Sequence, residues 1–201
     1  MLYSKLSALS LVVSVCLLTS CDSKNNSPSN EPAVKGMSHE EMVQQGKRFV
    51  TLGGCHDCHS PKKMTPQGPM VDSSQMLSGH PANAPLPPIG ANATKPGNWY
   101  LMGPDVTAFV GPWGISYAAN LTPDTATGLG NWSEAQFIQT LRTGKHLGME
   151  NGRPILPPMP WYNFAQLPDD DLKSIFAYLK SLPAVSNRVP GPVAPDKVMA
   201  K

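Results

Sequence analysis

Cysteine is scarce in this chain of 201 residues, and charge of either sign is thin. There are four cysteines, and 16 Lys and Arg stand against 14 Asp and Glu. A balance of +2, falling to +1 once Lys5 of the N-terminal leader is set aside, argues against nucleic-acid binding by bulk electrostatics. A membrane-spanning run is also lacking. The apolar stretch from Leu6 to Leu18 is shorter than the roughly 20 residues an ordinary spanning helix needs. No internal repeat is visible, and no run alternates convincingly as a strand. Proline and glycine, by contrast, are plentiful at 22 and 17 residues. Long irregular loops must therefore separate the helices.

The cysteines fall in two pairs. Cys55 and Cys58 lie within Cys55-His56-Asp57-Cys58-His59, a C-x-x-C-H motif. Two thiols at this spacing can each form a thioether to one vinyl group of a haem, and the histidine that follows is placed over the iron as proximal ligand. Three plainer readings compete. A zinc site would need a second ligand pair, but no cysteine follows Cys58, and His80 and His146 are far apart in sequence. A thioredoxin-like pair would sit at the end of a hydrophobic strand in a β-α-β unit; here it follows a helix-like segment and precedes Pro61. A surface disulfide leaves His59 unexplained. The motif thus specifies one covalent haem c.

Cys16 and Cys21 belong to the leader. Lys5 supplies a short charged region, Leu6 to Leu18 an apolar one, and Leu18-Thr19-Ser20-Cys21 resembles a bacterial lipoprotein box. The expectation is that residues 1–20 are a signal peptide and that Cys21 becomes a lipidated N-terminus, holding an exported protein on the periplasmic side of a membrane. Uncleaved anchoring, or cleavage by the ordinary signal peptidase, would still leave the protein exported.

Residues 21–35, rich in Ser, Asn and Pro, read as a flexible tether. Residues 36–184 form the domain, and residues 185–201 an extended Pro-rich tail that lies on it or stays loose. Three helices are legible. Ser38 and Glu41 form a capping box opening a helix to about Leu52, which Gly53 and Gly54 end. Ser133 and Gln136 open a second, with Phe137, Ile138 and Leu141 on its apolar face and Gly144 closing it. Asp169, Asp170 and Asp171 start a third, where the helix dipole favours negative charge; Leu172, Ile175, Phe176 and Leu179 repeat at helical period, and Pro183 stops it.

A helix running into C-x-x-C-H, a loop region and a terminal amphipathic helix resemble class I cytochrome c over most of residues 36–183. The resemblance implies an all-α fold of a few helices around the haem, here with a long Pro/Gly-rich insertion over residues 65–130. It implies that the first and last helices cross closely, with Gly46, Phe49 and Tyr178 at the crossing. It implies that the Pro69 carbonyl of Gly68-Pro69 accepts a hydrogen bond from His59. The family's distal ligand is a methionine before the last helix, which fits Met159 in Pro157-Pro158-Met159-Pro160-Trp161, where the prolines stiffen the chain. Met149 and His146 are the nearest rivals, followed by Met64, Met70, Met76 and Met102. Ligation by His59 and Met159 would raise the reduction potential and leave no open coordination site, which suits electron transfer.

A narrower likeness runs through Ala118-Ala119-Asn120-Leu121-Thr122-Pro123-Asp124, Gly128-Leu129-Gly130-Asn131-Trp132-Ser133 and Met159-Pro160-Trp161. These resemble the haem domains of bacterial membrane-bound alcohol and sugar-acid dehydrogenase cytochrome subunits, which usually carry several such domains where this chain has one. The resemblance implies a non-enzymatic electron carrier whose partners are a dehydrogenase, an oxidase or another cytochrome. It also implies that Asn120, Thr122 and Trp132 approach the haem propionates. Trp99, Tyr100, Trp113 and Tyr117 could cover a haem face or dock a partner, with covering the haem the first expectation; Lys62 and Lys63 are expected to form a solvated surface pair, with steering of a partner as the alternative. An open distal site would instead make the chain a haem sensor or a small oxidoreductase.

Overall fold

Helix α1, His39–Leu52, begins where expected: the Ser38 hydroxyl accepts from the Glu41 N–H, and the Glu41 carboxylate accepts from the Ser38 N–H at 2.7 Å. The computed structural model describes residues 36–198; residues 1–35, with the expected signal peptide, Cys16, Cys21 and the tether, lie outside the described residues, as do residues 199–201. Helix α1 turns at Gly53 and Gly54 into the short helix α2, Cys55–His59. Helices α3, Glu134–Thr143, α4, Trp161–Phe164, and α5, Asp169–Ser181, follow after the long middle region. The Ser133–Gln136 capping box is present, and Gly144 ends α3 in the left-handed conformation with φ 65°.

Helices α1 and α5 make the most extensive contact in the domain. Gly46 and Tyr178 meet there, as the cytochrome c likeness implies. A Cβ on Gly46 would overlap the Ser174 carbonyl oxygen and approach the Tyr178 Cβ to 2.8 Å, so only glycine allows this crossing. Phe49 packs half-buried against the same core. That core joins Val50, Leu77, Leu129, Phe137, Ile138, Leu141, Leu172, Ile175 and Phe176. The three aspartates of α5 serve as helix-start and surface charges: Asp169 pairs with Arg142, Asp170 with Lys173, and Asp171 accepts from Gln45. Among the described residues no cluster of acids, histidines and cysteines is arranged for a metal ion.

The all-α expectation needs correction. The middle region forms two small antiparallel sheets. Strands β1, Lys62–Thr65, and β2, Gly68–Val71, make a hairpin closed by Pro66 and Gln67. Strands β3, Leu101–Met102, β4, Ala108–Gly111, and β5, Gly114–Tyr117, make a second sheet in chain order. Val110 and Ile115 are register partners on one face, and with Ala93 they form a second, smaller core. The tail covers that core. Val193 exchanges both backbone hydrogen bonds with Ile115, at 2.8 and 3.0 Å, so the tail extends the sheet beyond β5.

Candidate haem site

The C-x-x-C-H residues occupy the single helical turn of α2. Gly54, at φ 64°, turns the chain out of α1 so that Cys55 and Cys58 lie one turn apart on α2. Both thiols are free. Burial pushes the Cys55 thiol up to about 11 and raises that of Cys58, so both are protonated at neutral pH. A thioredoxin-like pair needs the opposite shift.

His59 is oriented by a backbone carbonyl other than the expected one. Its Nδ1 donates to the Ala119 carbonyl at 2.7 Å. Gly68 and Pro69 open strand β2 instead, paired with Thr65 and Met64, which removes the expected Pro69 interaction. The Ala119 carbonyl reaches His59 because residues 77–80 and 118–121 run against each other. Leu121 donates to the Leu77 carbonyl and His80 to the Ala118 carbonyl, both at 2.9 Å, while Gly79 donates to the His59 carbonyl at 2.8 Å. Gly79 sits at φ 80°, and a Cβ there would overlap the Ala118 and Ala119 carbonyl oxygens. With Nδ1–H committed, the Nε2 lone pair is free for a metal. Burial lowers the His59 pKa while the Ala119 hydrogen bond opposes that shift, and the lowered value favours the neutral, ligating ring.

Met159 packs half-buried against the main core, as does Cys55. Its loop is held at both ends. Ile155 donates to the Gly144 carbonyl at 2.7 Å, and the Trp161 ring covers Gly144, where a Cβ would strike it. In between, the Ser116 hydroxyl donates to the Pro157 carbonyl at 2.6 Å. The rivals are placed elsewhere. Met149, Met64, Met70, Met76 and Met102 are exposed, and His146 stands edge-on to Trp132 at 5.4 Å.

Several other residues are placed differently from expectation. The buried Asn120 and Thr122 are spent on the tail rather than left for propionates. Asn120 Nδ2 donates to the Val185 carbonyl at 2.8 Å, its Oδ1 accepts from Thr122, and the Thr122 hydroxyl accepts from the Val185 N–H at 3.1 Å. Trp132 packs on the main core. Trp99 is 88% exposed and Tyr100 66%, and Tyr100 meets the Trp113 ring edge-on. Tyr117 lies over the His80 ring at 4.9 Å, and Trp113 donates to Ser116. Lys62 donates to the Asp57 carbonyl, and Lys63, largely exposed at the surface as expected, pairs with Asp72. Sequence reasoning missed Ala119, whose contribution is a backbone atom that no side-chain motif announces. It also missed Ser116, which sits in a strand without alternation.

Two free thiols one turn apart, an imidazole with one nitrogen committed and one free, and a half-buried thioether make up a donor set that fits a covalent haem c. Likeness to known proteins points the same way. The cytochrome c family model matches residues 43–183. One of the subunits of nicotinate dehydrogenase from Pseudomonas putida is 28% identical over 163 residues, which is 81% of this chain and 10% of that protein. The gluconate 2-dehydrogenase cytochrome c subunit of Pantoea cypripedii is 26% identical over 141 residues, 70% of this chain and 23% of that one. The cytochrome c subunit of the quinone alcohol dehydrogenase of Gluconobacter oxydans is 37% identical over 67 residues, 33% of this chain and 13% of that one. The chain thus spans less than a quarter of the length of these curated relatives. This chain belongs to the cytochrome c family. The family holds its haem c covalently, and Cys55 to His59 carry its attachment motif here. Such a domain carries electrons rather than converting a substrate.

Proposed function

We propose that this protein is an exported, mono-haem electron carrier. Cys55 and Cys58 would form the thioethers to the haem, and His59 and Met159 would be the protein ligands of its iron. The observation that carries this reading is the His59 Nδ1–H to Ala119 carbonyl bond, which fixes the ring and leaves Nε2 as the ligating atom. Met159 is the methionine that packs on the same core as Cys55, in a loop stiffened by three prolines. When bound, the haem supplies a one-electron couple. The protein's contributions are to hold a neutral imidazole, to present a thioether that favours the reduced metal, and to leave no open coordination site.

The donor is a periplasmic dehydrogenase or a respiratory complex, and electrons pass on to an oxidase or another cytochrome. The named relatives support a dehydrogenase acting on nicotinate, gluconate or an alcohol. Lipidation at Cys21 would hold the carrier at the membrane surface beside such a partner. The mass of the mature N-terminal peptide tests that part.

The axial assignment is tested with Met159→Ala. The ferric thioether-to-iron absorption band should disappear, and the ferrous protein should bind carbon monoxide readily. An unchanged band would refute Met159 as ligand and favour a haem sensor or small oxidoreductase. Anaerobic difference spectra of membranes given nicotinate, gluconate, ethanol or fructose in turn identify the donor. Haem reduction that requires one substrate and this protein points to a dedicated acceptor; equal reduction by all points to a general relay.

A further inference from the structure

The loop that carries Met159 is poor in hydrogen-bond donors. Pro157, Pro158 and Pro160 have no N–H. From outside the loop, the side-chain hydrogen bond to residues 156–159 is the one from Ser116 to the Pro157 carbonyl, at 2.6 Å. Ser116 is itself held. The Trp113 indole N–H donates to its oxygen at 3.1 Å, which directs the hydroxyl proton toward Pro157. The Trp113 ring lies over Gly111, and Tyr100 meets it edge-on at 5.0 Å. On the chain side, Ile115 is clamped between Val110 of β4 and Val193 of the tail, so Ser116 is buried in a strand hydrogen-bonded along both edges.

We infer that Ser116, oriented by Trp113, is a positioning residue for the axial methionine. This rests on the reading of Met159 as ligand. The insertion that departs from a minimal cytochrome c thus supplies a rigid sheet whose Ser116 fixes the ligand loop two residues before the sulfur. Loss of that bond lets the loop swing away more often, which exposes the iron to outside ligands without removing the thioether.

The test uses the full holoprotein and carbon monoxide as probe. Ser116→Ala should raise the rate of carbon monoxide binding to the ferrous protein roughly threefold to tenfold, as expected for one net hydrogen bond. It should also weaken the ferric thioether band. Ser116→Thr keeps the hydroxyl and should restore both toward wild type. Trp113→Phe should shift both in the same direction as Ser116→Ala; it also covers the case in which the Ser116 variant does not fold. The decisive comparison is the double mutant. Ser116→Ala should add nothing in the Met159→Ala background, because the serine acts only through the methionine. An alanine variant with wild-type kinetics overturns the inference, and so does an effect of equal size in the double mutant. A Met159→Ala protein that keeps the thioether band overturns the ligand assignment itself, a separate result.

Discussion

Asn187 offers the sharpest test of how the tail supports the haem-motif side of the domain. Its Nδ2 donates to the Ser78 carbonyl at 2.7 Å and to the His80 carbonyl at 2.9 Å, and its Oδ1 accepts from the Ala82 N–H at 3.0 Å. Asn187→Ala removes all three bonds. Ser78, His80 and Asn187 are buried, whereas Ala82 is exposed and its N–H can turn to water. Two carbonyls are therefore orphaned. At about 1 kcal/mol each for three bonds, less what hydration recovers at Ala82, the loss is about 2–3 kcal/mol. For a domain of this size that is a fall of about 4–12 °C in Tm. The assay is denaturant and thermal unfolding of the holoprotein, followed by the near-ultraviolet signal. Asn187→Asp provides a sign check. A carboxylate facing two carbonyls has its folded pKa raised above the unfolded value. The Asp variant should therefore be most stable below the ordinary carboxylate range and lose ground as pH rises. Stability of the alanine variant within about 0.5 kcal/mol of wild type would refute the argument, since that is the range of a neutral surface change.

Two further predictions concern the helices and a loop, beside those on Met159 and Ser116. Gly46→Ala should cost about 2–4 kcal/mol, because overlap with the Ser174 carbonyl outweighs the ~1 kcal/mol of helix propensity that alanine gains; equilibrium unfolding measures it, and a stabilised variant would contradict the close crossing. The Thr127 side-chain hydrogen bond, aided by the Thr127 and Ala126 N–H groups and by Arg188, holds the Asp124 carboxyl below its usual range. Its contribution is complete above the unfolded pKa and is lost as pH falls through the lower folded one. Asp124→Asn should therefore flatten the acid limb of stability against pH.

The helices were legible because their signals are local. Ser38 with Glu41 and Ser133 with Gln136 announce helix starts within four residues, and Leu172, Ile175, Phe176 and Leu179 announce a buried face at helical period. The strands were not legible, for two different reasons. Ala108–Gly111 is buried at every position, so it has no exposed face to alternate with. Lys62–Val71 is mostly exposed on a surface hairpin and contains Pro66 and Pro69. The attachment motif was plain because covalent chemistry fixes its residues and spacing. The Ala119 carbonyl was hidden because a backbone acceptor leaves no trace in side-chain identity. Asn120 and Thr122 could be singled out by resemblance, but their roles depend on a tail more than 60 residues away.

The same long reach governs the order in which the domain can be made. His59 meets Ala119 across 60 residues, and Ser78 meets Asn187 across 109. Loop closure over such separations is slow, and it cannot begin until both ends exist. Once the chain is free to fold, the helical turn carrying Cys55 and Cys58 can therefore form from local contacts, while the segments that pin its proximal side must be brought in across long loops. Those thiols stay in an open chain until residues 185–193 dock on residues 78–120. The tail is thus a timer as well as a clasp: its docking sets when the domain closes around the attachment motif.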